Sequence, residues 1–81
     1  MPIIVKTTIM NFKIGPTKLI MEHDKMIIEQ LGSNLVERGP EHTSYLVNEP
    51  VVRVLNRLKY CGYRVMAMTT DEMHYLWTLD N

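Results

Sequence analysis

The chain reads as an α+β protein, with a mostly antiparallel sheet of about six strands and two helices on one face. Three observations predict this. The opening from Pro2 to Phe12 is dominated by β-branched residues, which suit a pleated, half-buried surface. The stretch from Pro50 to Cys61 repeats its apolar residues at helical spacing, and the last part of the chain alternates apolar and polar residues. The order that follows is strand, short strand, helix, two strands, helix, two strands. It lacks the regular alternation that builds an all-parallel sheet.

In the opening strand Ile4, Lys6, Thr8, Met10 and Phe12 fall on one face, and Ile3, Val5, Thr7 and Ile9 on the other. Gly15-Pro16-Thr17 then turns the chain into a short strand from Lys18 to Met21. Asp24 is a suitable N-cap for a helix from Lys25 to Leu31, which places Ile27, Ile28 and Leu31 on one side before Gly32 stops it. A helix this short needs packing to persist. Strands from Asn34 to Arg38 and from Thr43 to Asn48 read as a hairpin around Gly39-Pro40. In the long helix Val51, Val54, Leu55, Leu58 and Cys61 form one apolar stripe, opposite Arg53, Asn56, Arg57 and Lys59. Asn48 can cap it, Pro50 fits its first turn, and Gly62 ends it. The closing hairpin runs from Tyr63 to Thr69 and from His74 to Leu79 around a polar tip at Thr70, Asp71 and Glu72. Tyr75, Trp77 and Leu79 share a face of its last strand.

A chain of 81 residues supports one domain, 1–81, with barely enough interior for a single core. A lone cysteine, Cys61, excludes an internal disulfide, and no Cys/His spacing suits structural zinc, so oligomerisation is the remaining source of added stability. Nine basic and nine acidic residues cancel, which leaves no broad cationic surface for nucleic acid or an anionic membrane. No segment approaches the roughly 20 apolar residues that span a bilayer, so the expectation is a cytosolic protein. Seven methionines are expected mostly as core filler, with the rest suited to adaptable contact surfaces. Two helices can cover only part of a sheet, so the uncovered surface is expected to be polar or buried by another subunit.

Candidates for catalysis are few. His23, His42 and His74 lack a partner at a metal-ligand spacing and read as polar residues of turns and strand ends. Cys61 reads as buried packing, and Asp71-Glu72 as a solvated turn. No phosphate-cradling glycine loop or nucleophile elbow is present, and no cofactor site is expected. One catalytic alternative starts from Met1-Pro2-Ile3-Ile4, which resembles the opening of small oligomeric tautomerases. In that family the exposed proline amine is a general base, a role Pro2 could fill if an apolar pocket depressed its pKa. The resemblance covers only these four residues. Gly15-Pro16 and a short strand follow, where that family has a long helix and a parallel strand.

A second resemblance covers nearly the whole chain. Gly15-Pro16-Thr17, Leu31-Gly32, Tyr45 to Pro50, Arg53-Val54-Leu55 and Gly62-Tyr63-Arg64-Val65 resemble the GTP cyclohydrolase I feedback regulatory protein family. Met1-Pro2, Met68-Thr69, Leu76-Trp77 and Leu79 fall in the same register. The resemblance implies a non-catalytic regulatory domain in the cytoplasm, a nuclear location being compatible as well. It implies a homopentameric ring that docks on GTP cyclohydrolase I, with phenylalanine promoting an active complex and tetrahydrobiopterin an inhibited one. It also implies a ligand and partner interface at the end of the first strand, Ile9, Met10 and Asn11, and at the last hairpin tip, Thr70, Asp71, Glu72, Met73 and His74. The sequence departs from that family where Asn11 replaces a frequent basic residue and where Thr70 to Met73 replace a Gly-rich, Gln-containing tip. Met10 and Met73, at element ends, are expected on one rim of the sheet.

Overall fold

The structure, a computed structural model, describes residues 2–22, 24–32, 34–38 as backbone, and 43–81. Its elements are β1 (Ile3–Thr8), β2 (Thr17–Met21), α1 (Lys25–Leu31), β3 (Asn34–Arg38), β4 (Thr43–Val47), α2 (Val51–Tyr60), β5 (Arg64–Thr70) and β6 (His74–Asp80). Among the described residues the strands form one sheet of six, in the order β3-β4-β2-β1-β6-β5. Every pairing is antiparallel. The expected α+β architecture is present. His23, His42 and the Gly39-Pro40 loop lie outside the described residues.

Register explains which side chains become core. Ile3, Val5 and Thr7 stand opposite Leu79, Trp77 and Tyr75, so the alternating residues of β1 and β6 point to one face. Thr17, Leu19 and Met21 of β2 stand opposite Val47, Tyr45 and Thr43 of β4 and extend that face. Both helices seal it. Ile27 and Leu31 of α1 and Val51, Val54 and Leu58 of α2 are buried in the same cluster as Ile3, Val5, Leu19, Val47 and Leu79. Burying a side chain of that size contributes about 1.5–3 kcal/mol, so α1, too short to stand alone, is held by its anchors Ile27 and Leu31. Asp24 caps α1 as expected, accepting from the Met26 and Ile27 amides at 3.0 and 3.3 Å.

Three expectations need correction. The first strand ends at Thr8 rather than Phe12, because the Asn11 amide donates to both the carbonyl and the hydroxyl of Thr8 at 3.1 Å and bends the chain. Phe12 therefore leaves the face it would share with Ile4 and packs on Tyr75 and Trp77. Asn48 does not cap α2. Pro50 takes the N-cap position with extended backbone and no side-chain cap, and its carbonyl receives the Arg53 and Val54 amides. The methionines are mostly outside the core: Met21 is buried, but Met10, Met26, Met66, Met68 and Met73 are exposed. All five sit beyond the reach of the seal, on β5, on element ends or on the outer side of α1.

Candidate functional site

The end of β1 and the tip of the β5–β6 hairpin meet. The Ile9 amide donates to the Met73 carbonyl at 3.0 Å, continuing the β1–β6 ladder past the last strand pair, Thr8 and His74. The loop after β1 is tied down from within. Phe12 N–H donates to the Ile9 carbonyl at 3.5 Å and Gly15 N–H to the Asn11 carbonyl at 2.7 Å. Beneath it, the buried Thr17 hydroxyl donates to the Glu49 carbonyl at 2.8 Å, and Glu49 is itself paired with Arg57 of α2 at 2.9 Å. The loop is thereby joined to the helix layer.

The hairpin tip is organised by Asp71. Its Oδ1 accepts from the Met73 and His74 amides, each at 2.8 Å, and lies 3.3 Å from His74 Nδ1. Asp71 N–H in turn donates to the His74 carbonyl at 3.0 Å. The Met73 amide, followed by the amide and imidazole of His74, holds the carboxyl below its usual range. The carboxylate is therefore engaged in shaping the turn. Glu72 beside it is exposed.

Of the eight residues expected at the interface, the structure places all on this rim: four line two separate concavities and four form the exposed tip. On the helix side, Ile9 and Met10 line an apolar groove of about 350 Å³ with Phe12, Lys13, Met68, Tyr75 and Trp77. Phe12 meets Tyr75 edge-on at 5.3 Å, and Tyr75 stacks with Trp77 at 6.0 Å. On the opposite side, Asn11 and His74 line a smaller cleft of about 200 Å³ with Lys6, Thr8, Lys18 and Leu46. Thr70, Asp71, Glu72 and Met73 stand at the exposed tip between them.

Sequence reasoning missed Phe12, Lys13, Met68, Tyr75 and Trp77 as lining residues. The alternation of Tyr75 and Trp77 was visible, but their meeting with Phe12 depends on the bend at Asn11. Among the described residues no group of His, Cys, Asp and Glu could hold a metal, and no helix is long and apolar enough to cross a membrane. The cleft beside Pro2, about 150 Å³, is lined by Glu22 and Asp24 as well as by Tyr63. Burial, then the carboxylates of Asp24 and Asp80, push the Tyr63 phenol up. The same carboxylates would favour a protonated amine nearby, the reverse of what a proline base requires.

Comparison with known proteins agrees with the whole-chain resemblance. Residues 1–81 match the family described as GTP cyclohydrolase I feedback regulatory protein (GFRP). A Danio rerio protein named GTP cyclohydrolase 1 feedback regulatory protein is 35% identical over 81 residues, covering 98% of this chain and 91% of its own. A Xenopus laevis protein of the same name is 33% identical over 81 residues, covering 98% of this chain and 96% of its own. With a family match over its full length and relatives of that identity and coverage, the chain belongs to the GTP cyclohydrolase I feedback regulatory protein family.

Proposed function

We propose that this protein is a non-catalytic regulatory subunit that docks on GTP cyclohydrolase I as a homopentamer. In this reading it passes on two signals, activation by phenylalanine and inhibition by tetrahydrobiopterin. The observation that carries the proposal is the full-length relationship to proteins named as feedback regulators of that enzyme. The rim supports it physically. Met10 is 83% and Met73 59% exposed, at adjacent element ends, a placement that costs the isolated subunit apolar hydration and suits a contact surface. The neighbouring groove combines three aromatic rings with Lys13, a chemistry that accepts an aromatic amino acid by ring packing and by pairing its carboxylate. An effector bound there shifts the enzyme's equilibrium only by its differential affinity for the two complexes.

The test is direct mixing. Purified protein and its cognate GTP cyclohydrolase I, with phenylalanine, with tetrahydrobiopterin or with neither, are followed by light scattering alongside enzyme turnover. The expected result is an effector-dependent rise in mass together with a change in cyclohydrolase rate. Absence of any complex in all three conditions, with keto-enol turnover by the isolated protein that vanishes in Pro2→Ala, would replace the proposal with the tautomerase reading.

A further inference from the structure

The face of the sheet away from the helices carries an unexplained pairing. Lys6 of β1 stands directly opposite Lys18 of β2, a position that brings the two Cβ atoms to about 4.5–5.5 Å and sets like charges side by side. Lysines commonly guard the edges of sheets, but β1 and β2 are interior strands here, flanked by β6 and β4. Edge protection therefore does not account for them. Both are half-buried, and among the described residues no carboxylate forms an ion pair with either. The row across four strands reads Leu46, Lys18, Lys6, Leu76, so each lysine has an apolar neighbour on its outer side. The cleft of about 200 Å³ that they line is also lined by Thr8, Asn11 and His74.

We infer that this cleft binds a phosphate group, with Lys6 and Lys18 as its charge partners and Thr8, Asn11 and His74 as hydrogen-bonding groups at its rim. The unmatched lysine pair is the carrying observation, since an anion between the two ammonium groups turns a repulsion within the fold into two charge-assisted contacts. Ammonium groups are compact point charges that accept a tetrahedral oxyanion from any direction, and among the described residues no guanidinium fork lines the cleft to favour a planar carboxylate. His74 is held at the rim by the Asp71 oxygen at 3.3 Å from Nδ1, an engagement that leaves Nε2 as its remaining polar atom. The site goes beyond the proposed regulation, whose two effectors carry no phosphate, and it belongs to the isolated protein, so its test needs no cyclohydrolase.

Amide chemical shifts of the isolated protein are followed by NMR during titration with inorganic phosphate and, separately, with glycerol 2-phosphate, using sodium chloride at matched ionic strength as reference. Saturable shifts centred on Lys6, Thr8 and Lys18 in either phosphate arm, absent with chloride, are expected. A response to glycerol 2-phosphate alone assigns a phosphate ester, and a response to both assigns the phosphate group itself. Lys6→Met and Lys18→Met should each weaken binding about tenfold, the loss of one charge-assisted hydrogen bond. Lys6→Arg with Lys18→Arg keeps both charges and should retain binding, which separates loss of the site from loss of the fold. Shifts that match those of chloride, or that persist unchanged in a folded Lys6→Met/Lys18→Met variant, overturn the inference.

Discussion

Substituting Gly15 by alanine probes how the loop that carries Ile9, Met10 and Asn11 is fixed to the body of the protein. Gly15 has φ +82, and a Cβ placed there would lie 2.6 Å from the Glu49 carbonyl oxygen and 2.7 Å from its carbon. The obstacle is backbone, and it is backbone already held by the Thr17 hydroxyl at 2.8 Å. Left-handed backbone costs an L-residue about 1–2 kcal/mol, and forcing extra volume into a packed site costs about 1–3 kcal/mol more. Reduced freedom of the unfolded chain returns about 0.4–1 kcal/mol, so the net expected loss is roughly 2–4 kcal/mol. For 81 residues, total stability is about 4–12 kcal/mol, so the change consumes a large share of it. Gly62 supplies the control. Its φ is +98, but a Cβ there meets nothing within 4 Å, so Gly62→Ala should cost about 1 kcal/mol of backbone strain alone. Urea unfolding at a fixed protomer concentration, read by tryptophan fluorescence from Trp77, measures both. With a slope near 1 kcal/mol per molar, the Gly15→Ala midpoint should fall by about 2 M or more. Equal losses for the two variants would show that the contact with Glu49 is not rigid, and the reasoning about the loop would fail.

Asp24→Ala removes the side-chain acceptor for two amides of α1 and should cost about 1 kcal/mol in the same urea assay. Leu58→Ala empties a fully buried position of α2 and should cost about 2–5 kcal/mol, with Leu55→Ala, half-buried beside it, costing less. The Asp71 carboxyl is depressed in the folded protein, so its contribution to the hairpin tip is present above the ordinary value of 3.8 and is lost as pH falls through the lower folded value. Carbon-detected titration of Asp71 should therefore give a midpoint below 3.8, with faster exchange of the Met73 and His74 amides once it protonates. Met10→Asp and Met73→Asp change exposed positions and should alter folding stability by about 0.5 kcal/mol or less, while weakening attachment to GTP cyclohydrolase I by several kcal/mol. Unchanged affinity in both, measured by light scattering or calorimetry, would move the docking surface elsewhere.

Local signals account for what the sequence made legible. Asp24 and Gly32 bracket α1, the stripe of Val51, Val54 and Leu58 defines α2, and the alternation of Tyr75, Trp77 and Leu79 places one face of β6 in the core. The failures are of a different kind. The bend at Asn11 arises from competition between continuing a strand of β-branched residues and satisfying Thr8 through a side-chain turn, and periodicity alone favours the former. Asn48 was a plausible cap by residue type, but the Glu49 side chain is committed to Arg57 and its carbonyl to Thr17, so the cap falls two residues later, at Pro50. Exposure of the methionines could not be read from composition, because it depends on how far the two helices extend across the sheet. The candidate site was legible as two chain segments, Ile9 to Asn11 and Thr70 to His74. Its division into an apolar groove and a cationic cleft was not, since that depends on Lys6 meeting Lys18 across strands and on the loop residue Phe12 meeting Tyr75.

The placement of β1 between β2 and β6 has a consequence for how the protein is made. Ile3 pairs with Leu79, so one interior seam of the sheet joins segments that lie far apart in the sequence and leave the ribosome at well-separated times. The hairpin of β3 and β4 and the neighbouring β2 can form early from nearby contacts, but β1 then waits with one row of amides and carbonyls unmatched until β6 is released. Closure of such a distant pair is slow because its loop entropy is met before any contact rewards it. During synthesis the half-built sheet therefore presents an open edge of Ile3, Ile4 and Val5, and it is at this stage, before the last strand arrives, that the chain is most exposed to pairing with the wrong partner.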